Sequence, residues 1–198
     1  MEEIMKEKHP GGLNMTKRLL ELSQLSPCRI LDMGAGNGQT VSYLQNAGFD
    51  AWGIDLDVSP SLRIRQLQKG NFLQTTYPDE SFDAVISECA FYISGNPKKA
   101  CEEAWRILKP GGTLLLADVS EVNLFASPVS AANTIFDLLT NACFSMKEFL
   151  DITSAWKEYY LSCIWDGSAD TLIPCHPKGK FAYYLTVSKK IQQTIRQV

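Results

Sequence analysis

Ile30-Leu31-Asp32-Met33-Gly34-Ala35-Gly36-Asn37-Gly38 reads as a buried strand that enters a glycine-rich turn and then a helix. Ile30 and Leu31 are apolar strand residues, and the acidic Asp32 sits near the strand's end. Gly34, Gly36 and Gly38 follow at alternate positions. Glycine in such a turn takes positive φ and lets a ligand approach with no Cβ in the way. The helix that starts next is expected to aim free N–H groups at whatever occupies the turn. The stretch is a cradle for a nucleotide-type cofactor.

Outward from the turn, strand and helix patterns alternate from about residue 14 to residue 118. Asn14 is expected to cap a first helix with Met15, Leu19, Leu20 and Leu22 on its apolar face. Arg29–Met33 is the first strand, and the helix after the turn puts Val41, Leu44 and Ala47 on one side, with Gly48 as its C′ residue. Phe49–Asp55 is the second strand. Ser59-Pro60 reads as an N-cap plus N1 proline that opens a helix with Leu62 and Leu67 inward. A short third strand is expected near Asn71–Leu73, and Phe82–Ser87 is a fourth.

Asn96-Pro97 repeats the cap-plus-proline signal, for a helix with Ala100, Ala104, Ile107 and Leu108 on one stripe. Lys109-Pro110-Gly111-Gly112 ends that helix, and Thr113–Asp118 is a fifth strand, apolar enough to be covered on both faces. The last third is less regular. Ser120–Ser130 reads as a loop, Ala131–Ala142 as a helix, Phe144–Asp151 as a strand, Ser154–Trp165 as a helix, Gly167–Lys180 as a loop and Phe181–Ser188 as a final strand. This order predicts an α/β fold: a Rossmann-like, doubly wound, mostly parallel seven-stranded sheet with helices on both faces. One domain over 1–198 is expected, with residues 1–25 as an N-terminal arm and helix that can act as a lid and 120–180 as substrate-side elements.

Two classes of cofactor use a strand, glycine turn and helix of this kind. A dinucleotide site wants G-x-G-x-x-G with a pyrophosphate on the helix N-terminus. Here the spacing is Gly34-x-Gly36-x-Gly38, and Asp32 precedes it. A carboxylate there repels a pyrophosphate and suits a ligand that carries an ammonium and a sulfonium, the charge pattern of S-adenosylmethionine. Asp55 ends the second strand about 20 residues after the glycines, where a carboxylate accepts hydrogen bonds from both ribose hydroxyls.

At these residues the chain resembles the class I S-adenosylmethionine-dependent methyltransferases, strongly over about residues 25–120. Ile30–Gly38 is similar to the family's first motif, which assigns Asp32, Gly34, Ala35, Gly36 and Gly38 to the cofactor, and Gly53-Ile54-Asp55 is similar to its second-strand acid. The resemblance places Leu56 against the adenine. Gly70-Asn71-Phe72-Leu73 through Ser81-Phe82-Asp83 is similar to a further family stretch, in which an acid meets the adenine amino group and the next backbone N–H meets a ring nitrogen. Asn71 replaces that acid, Phe72 follows it, and an amide oxygen still accepts such a bond. Trp105–Gly112 resembles the family's structural R-x-L-K-P-G-G turn. The resemblance implies methyl transfer from S-adenosylmethionine, with S-adenosylhomocysteine as product, to a small-molecule acceptor.

Methyl transfer needs alignment more than acid–base machinery, so no catalytic motif is obligatory. The crevice at the strand ends should be faced by Glu88, Cys89, Ala90, Phe91 and Tyr92. Glu88 is read as a base, as an acceptor for the substrate or the methionine ammonium, or as a solvated strand-end carboxylate. Tyr92 is read as an acceptor-orienting group or as pocket wall, and Cys89 as a packed thiol before a nucleophile. No [D/N]-P-P-[Y/F] signature for exocyclic or amide nitrogens is present. His9-Pro10-Gly11-Gly12-Leu13 reads as a hinged arm. Phe125, Phe136, Trp156, Tyr159, Tyr160 and Trp165 make the last third aromatic, as sheet cover or as an acceptor pocket.

The 198 residues suffice for one sizeable core. Net charge is −3 with the signs intermixed, so binding to a nucleic-acid backbone has no electrostatic support. The charged N-terminus lacks the apolar segment of a signal peptide, and no long apolar run suggests a membrane span; a cytoplasmic location is expected. The six cysteines are irregularly spaced, and Cys163, Cys175 and His176 match no zinc pattern. Free thiols and no metal are expected. Oligomeric state is left open. Two other readings remain: a non-catalytic cofactor-binding or interaction protein on the same fold, and, more remotely, an NAD-dependent dehydrogenase.

Overall fold

β1 (Arg29–Met33) has its first sequence successor on one side and a later strand on the other, and this fork organises the sheet. The computed structural model describes residues 10–59, 63–122, 128–165 and 180–192. Its elements are α1 (Leu13–Ser23), β1, α2 (Gln39–Asn46), β2 (Asp50–Asp55), β3 (Leu67–Lys69), β4 (Phe82–Glu88), α3 (Pro97–Ile107), β5 (Leu108–Val122), α4 (Pro128–Asn141), β6 (Phe144–Asp151), α5 (Thr153–Trp165) and β7 (Lys180–Lys190). The seven strands form one sheet in the order β3-β2-β1-β4-β5-β7-β6. Strands β1 to β5 pair in parallel, and β7 lies antiparallel to both β5 and β6. The strand order reverses between β1 and β4, which opens a crevice at their C-terminal ends.

Period-two alternation sends neighbouring side chains to opposite faces. Leu31, Val85 and Leu116 meet α3 and α4 on one face. Ile30, Ile86 and Leu115 meet Leu19 of α1 and Leu44 of α2 on the other. α3 starts as its sequence requires: Pro97 is its first residue and Asn96 accepts the Lys99 N–H at 3.1 Å. Arg106 of the R-x-L-K-P-G-G stretch bonds Glu103 and reaches Tyr77 O at 2.9 Å. It pins the segment before β4, a structural task.

Four expectations need correction. Gly12, at φ 45°, precedes the first residue of α1, and Asn14 is an exposed residue within the helix. No helix forms at residues 63–66, where the Ser59-Pro60 signal had placed one; residues 60–62 lie outside the described set. Instead Leu67 joins β3 beside Gly53 of β2. A Cβ on Gly53 would lie 2.8 Å from Leu67 Cδ1, so this strand packs into a groove that only glycine leaves open. That burial overrides the local helix signal. The expected third strand at Asn71–Leu73 is a turn, with Asn71 Oδ1 accepting the Leu73 N–H at 2.9 Å. Finally, β5 continues to Val122, α4 already begins at Pro128, and β7 starts at Lys180 and ends at Lys190, so these elements run beyond their expected limits. The loop expected over Gly167–Lys180 lies almost wholly outside the described residues.

The tight approach of β2, α2 and the first turn is testable at Gly53, where a Cβ would also lie 2.6 Å from Val41 Cγ2 and 2.9 Å from Ala35 Cβ. Gly53→Val is expected to destabilise by about 1–3 kcal/mol, a melting temperature roughly 2–10 °C lower. An unchanged melting temperature would contradict this packing.

Candidate active site

The crevice between β1 and β4 holds a cavity of about 530 Å³. The turn after β1 forms its floor and is fastened from within. The N–H groups of Gly34 and Ala35 both donate to Ile54 O, at 2.9 and 3.1 Å. The Gly36 N–H donates to Asp55 Oδ2 at 2.8 Å, and the Gly38 N–H to Ala35 O at 2.7 Å. These four donors of the turn are therefore engaged inside the protein; they are not the first N–H groups of α2, to which the expectation of free donors applied. A pyrophosphate would lose them as partners, which weakens the dinucleotide reading.

Gly34, Gly36 and Gly38 all take positive φ, at 91°, 52° and 76°. Their roles differ. Gly34 lines the cavity, and a Cβ there would strike the Ala90 side chain. Gly36 faces open space. Gly38 does not line the cavity: it leads into α2, and a Cβ there would lie 2.5 Å from Ile64 Cδ1. A side chain at that position is thus excluded by packing.

Asp32 is 3 % exposed and lines the cavity. Among the described residues none donates a hydrogen bond to its carboxylate. Burial pushes that carboxyl well above the usual range, and the charges of Glu88 and Asp55 push it the same way. A buried carboxylate without a partner is costly when ionised. A cation in the cavity would remove that cost.

Glu88 also lines the cavity and is buried, which overturns its reading as a solvated strand-end group. The Thr16 hydroxyl of α1 reaches both of its oxygens, at 3.1 and 3.0 Å, and the Thr40 hydroxyl of α2 donates at 2.9 Å. Glu88 thus ties two helices to the end of β4. Asp55 is fixed too, through the Gly36 N–H and the Asp57 N–H at 2.9 Å. Its remaining lone pairs are available to hydroxyl donors.

An apolar slot completes the cavity. Leu56 and Ile93 line it with much of their surface exposed, and Phe72 is buried behind them. Such exposed apolar side chains beside a polar floor suit a flat aromatic ring. Ala35 and Asn71 line the cavity as expected, although Asn71 Oδ1 is engaged by the Leu73 N–H. Sequence reasoning missed Thr40, Ile93 and Ser94, for which no motif exists.

Tyr92 is placed elsewhere, as is Phe91. Cys89, at φ 57°, turns the chain as β4 ends. Residues 90–95 then coil, with the Ser94 N–H on Ala90 O at 3.0 Å and the Gly95 N–H on Tyr92 O at 3.0 Å. Helical spacing puts Ala90, Ile93 and Ser94 on the cavity side, while Phe91 and Tyr92 line a separate cavity of about 220 Å³. The expectation had put Phe91 and Tyr92 in the crevice together with Glu88, Cys89 and Ala90. Cys89 is a packed thiol: it contacts the Tyr183 hydroxyl at 3.4 Å, and burial pushes it well up.

Among the described residues, no group of three or more His, Cys, Asp or Glu side chains is placed to hold a metal ion. His9, Cys175 and His176, and the side chains of Trp156, Tyr160 and Cys163, lie outside those described, as does Phe125. Phe136 packs on Phe149 with ring centroids 5.2 Å apart, and Trp165 is exposed. These two therefore lend no side chain to the crevice.

Residues 31–116 match a family described as a methyltransferase domain. Over those residues the match supports a methyltransferase of the class I S-adenosylmethionine-dependent kind. A sarcosine/dimethylglycine N-methyltransferase of Aphanothece halophytica is 30% identical over 103 residues, 46% of this chain and 37% of the relative. The chain spans between 20% and 50% of the curated methyltransferases it matches. Two solved structures show the same fold. A phosphoethanolamine N-methyltransferase 2 of Haemonchus contortus, in complex with S-adenosyl-L-methionine, aligns with a TM-score of 0.68 at 18% identity, covering 93% of this chain and 54% of that one. The [4+2]-cyclase SpnF aligns with a TM-score of 0.66 at 20% identity, covering 91% and 81%. The methyltransferase fold is thus shared with a protein named for a different reaction.

The buried Asp32 carries a prediction with a definite sign. A carboxyl whose pKa is raised on folding, here from an ordinary 3.8, contributes stability below its unfolded value and loses it as pH rises through the folded value. The ligand-free melting temperature is therefore expected to fall as pH rises above the ordinary carboxylate range, and less steeply in Asp32→Asn. The same variant should bind S-adenosylhomocysteine about tenfold or more weakly. A wild-type pH profile together with wild-type affinity would contradict this role for Asp32.

Proposed function

We propose that the chain transfers a methyl group from S-adenosylmethionine to a small-molecule acceptor by in-line displacement. The observation that carries this reading is Asp32, a buried carboxylate that faces the cavity with no donor among the described residues. S-adenosylmethionine supplies an electrophilic methyl on a positively charged sulfur, whose displacement leaves a neutral thioether. Asp32 offers its charge to the cofactor's ammonium, and Asp55 accepts from the ribose hydroxyls. Leu56, Phe72 and Ile93 shelter the adenine, with Asn71 at its edge. Gly34, Ala35 and Gly36 let the ligand approach the backbone. Glu88, held by the Thr16 and Thr40 hydroxyls, acts either on the cofactor or as acceptor of the substrate's proton.

Net charge of −3 with mixed signs supports a small-molecule acceptor over a nucleic acid. The reading extends to one domain over residues 1–198 acting in the cytoplasm, with 1–25 as a lid and 120–180 on the substrate side. No described helix is long and apolar enough to cross a membrane. Similarity to the cyclase SpnF favours one second reading, in which the same cavity holds the cofactor without methyl transfer.

S-adenosylhomocysteine at a hundredfold excess over its Kd should stabilise the chain by about 2.7 kcal/mol, a rise of roughly 5–10 °C in melting temperature. NAD should give no rise, and the opposite preference would refute the reading. With a turned-over acceptor in hand, Glu88→Gln should lower kcat by about tenfold or more. Full turnover in that variant would remove Glu88 from the mechanism, and cofactor binding without turnover of any acceptor would favour the second reading.

A further inference from the structure

Asp118 faces the second cavity, and the reading of the cofactor site makes no use of it. Asp118 follows Leu116 by two residues on β5, so its side chain leaves the sheet on the face covered by α3 and α4. It is 2 % exposed. The cavity of about 220 Å³ is walled by Phe91, Leu116, Ile135 and Leu138, with Tyr92 and Ser120 at its polar side. Phe91 stacks on Phe72 of the cofactor cavity with ring centroids 5.9 Å apart, so the two chambers share an aromatic partition.

Among the described residues the carboxylate is oriented by backbone N–H groups. The Tyr92 N–H donates to Oδ2 at 3.0 Å, and the Val119 N–H donates to Oδ1 at 2.8 Å. No described side chain lining the cavity carries a positive charge. Each oxygen retains acceptor capacity, in apolar surroundings where an ionised carboxylate needs a counter-charge. A hydrophobic chamber with one oriented anion selects a ligand with an apolar body and one cationic head.

We propose that this chamber binds a small organic amine, with its ammonium on the Asp118 carboxylate and its apolar body against Phe91, Leu116, Ile135 and Leu138. The volume equals roughly seven waters at about 30 Å³ each, which suits a compact arylalkylamine and excludes a peptide or a nucleotide. Burial pushes the Asp118 carboxyl up to about 7, against the lowering effect of the Tyr92, Val119 and Phe91 N–H groups. Tyr92 lines the chamber itself, and the other described titratable groups around Asp118 are Cys89 at the end of β4, Cys101 on α3, and Tyr183 and the Asp118 register partner Tyr184 on β7. Burial pushes these last four up, so they stay neutral near pH 7. Amine affinity should therefore rise with pH as Asp118 ionises.

Phenethylamine and its uncharged counterpart 2-phenylethanol, titrated against the whole chain by calorimetry, test the proposal. The amine should bind about tenfold or more tightly than the alcohol, the margin of a charge-assisted hydrogen bond. Asp118→Asn should erase that preference. Leu138→Trp, which fills the chamber and leaves Asp118 in place, should abolish binding of both probes. S-adenosylhomocysteine binding, unchanged in both variants, reports that they are folded. Equal affinity for amine and alcohol, or an undiminished preference in Asp118→Asn, would overturn the proposal. If wild-type protein prefers the amine but does not bind S-adenosylhomocysteine, this site stands and the reading under Proposed function falls.

Discussion

The turn after β1 is held to β2 by its own backbone: Gly34 and Ala35 reach Ile54 O, and Gly36 reaches Asp55. With these N–H groups engaged there, no described residue donates a hydrogen bond to the Asp32 carboxylate at the end of β1. Everything distinctive about the crevice depends on that constraint. The floor is fastened by backbone hydrogen bonds, the acid that ends β2 is preset, and a buried acid is left for a ligand's positive charge to ionise. Electrostatic preorganisation of this kind is built on folding, so no reorganisation is needed when the ligand arrives.

Glu88 and Thr16 extend the constraint to the start of the chain. A hydroxyl on α1 bonds a carboxylate at the end of β4, 72 positions further on. α1, entered through Gly11 and Gly12 at positive φ, is thereby coupled to the cavity. Movement of α1 would expose or repartner Glu88, which gives the lid role proposed for the N-terminal residues a physical basis. On the other side of the coil that follows Cys89, Asp118 repeats the theme on a smaller scale, with backbone donors orienting an acid in an apolar chamber.

Local chemistry explains what was legible in the sequence. The strand, turn and helix around Asp32–Gly38 need particular residues at particular positions, and so does the Asn96-Pro97 cap of α3. The bounds of β6 also follow from its own composition. β3 was misplaced because Ser59-Pro60 is a sound helix signal that loses to the burial of Leu67 against Gly53. Tyr92 was misplaced because a five-residue segment does not announce whether it is extended or coiled. The coil depends on the positive φ at Cys89, which a non-glycine residue rarely shows. The partners of Glu88 and the slot residue Ile93 were invisible for a third reason: they arise from long-range packing, which leaves no spacing in the chain.

The central claim is that a ligand's positive charge replaces a proton on the buried Asp32. Calorimetric titration with S-adenosylmethionine in two buffers of different ionisation enthalpy counts protons exchanged on binding. Net proton release is expected on binding in the wild type, and less release in Asp32→Asn. Binding with no net release, or with the same release in both proteins, would contradict it.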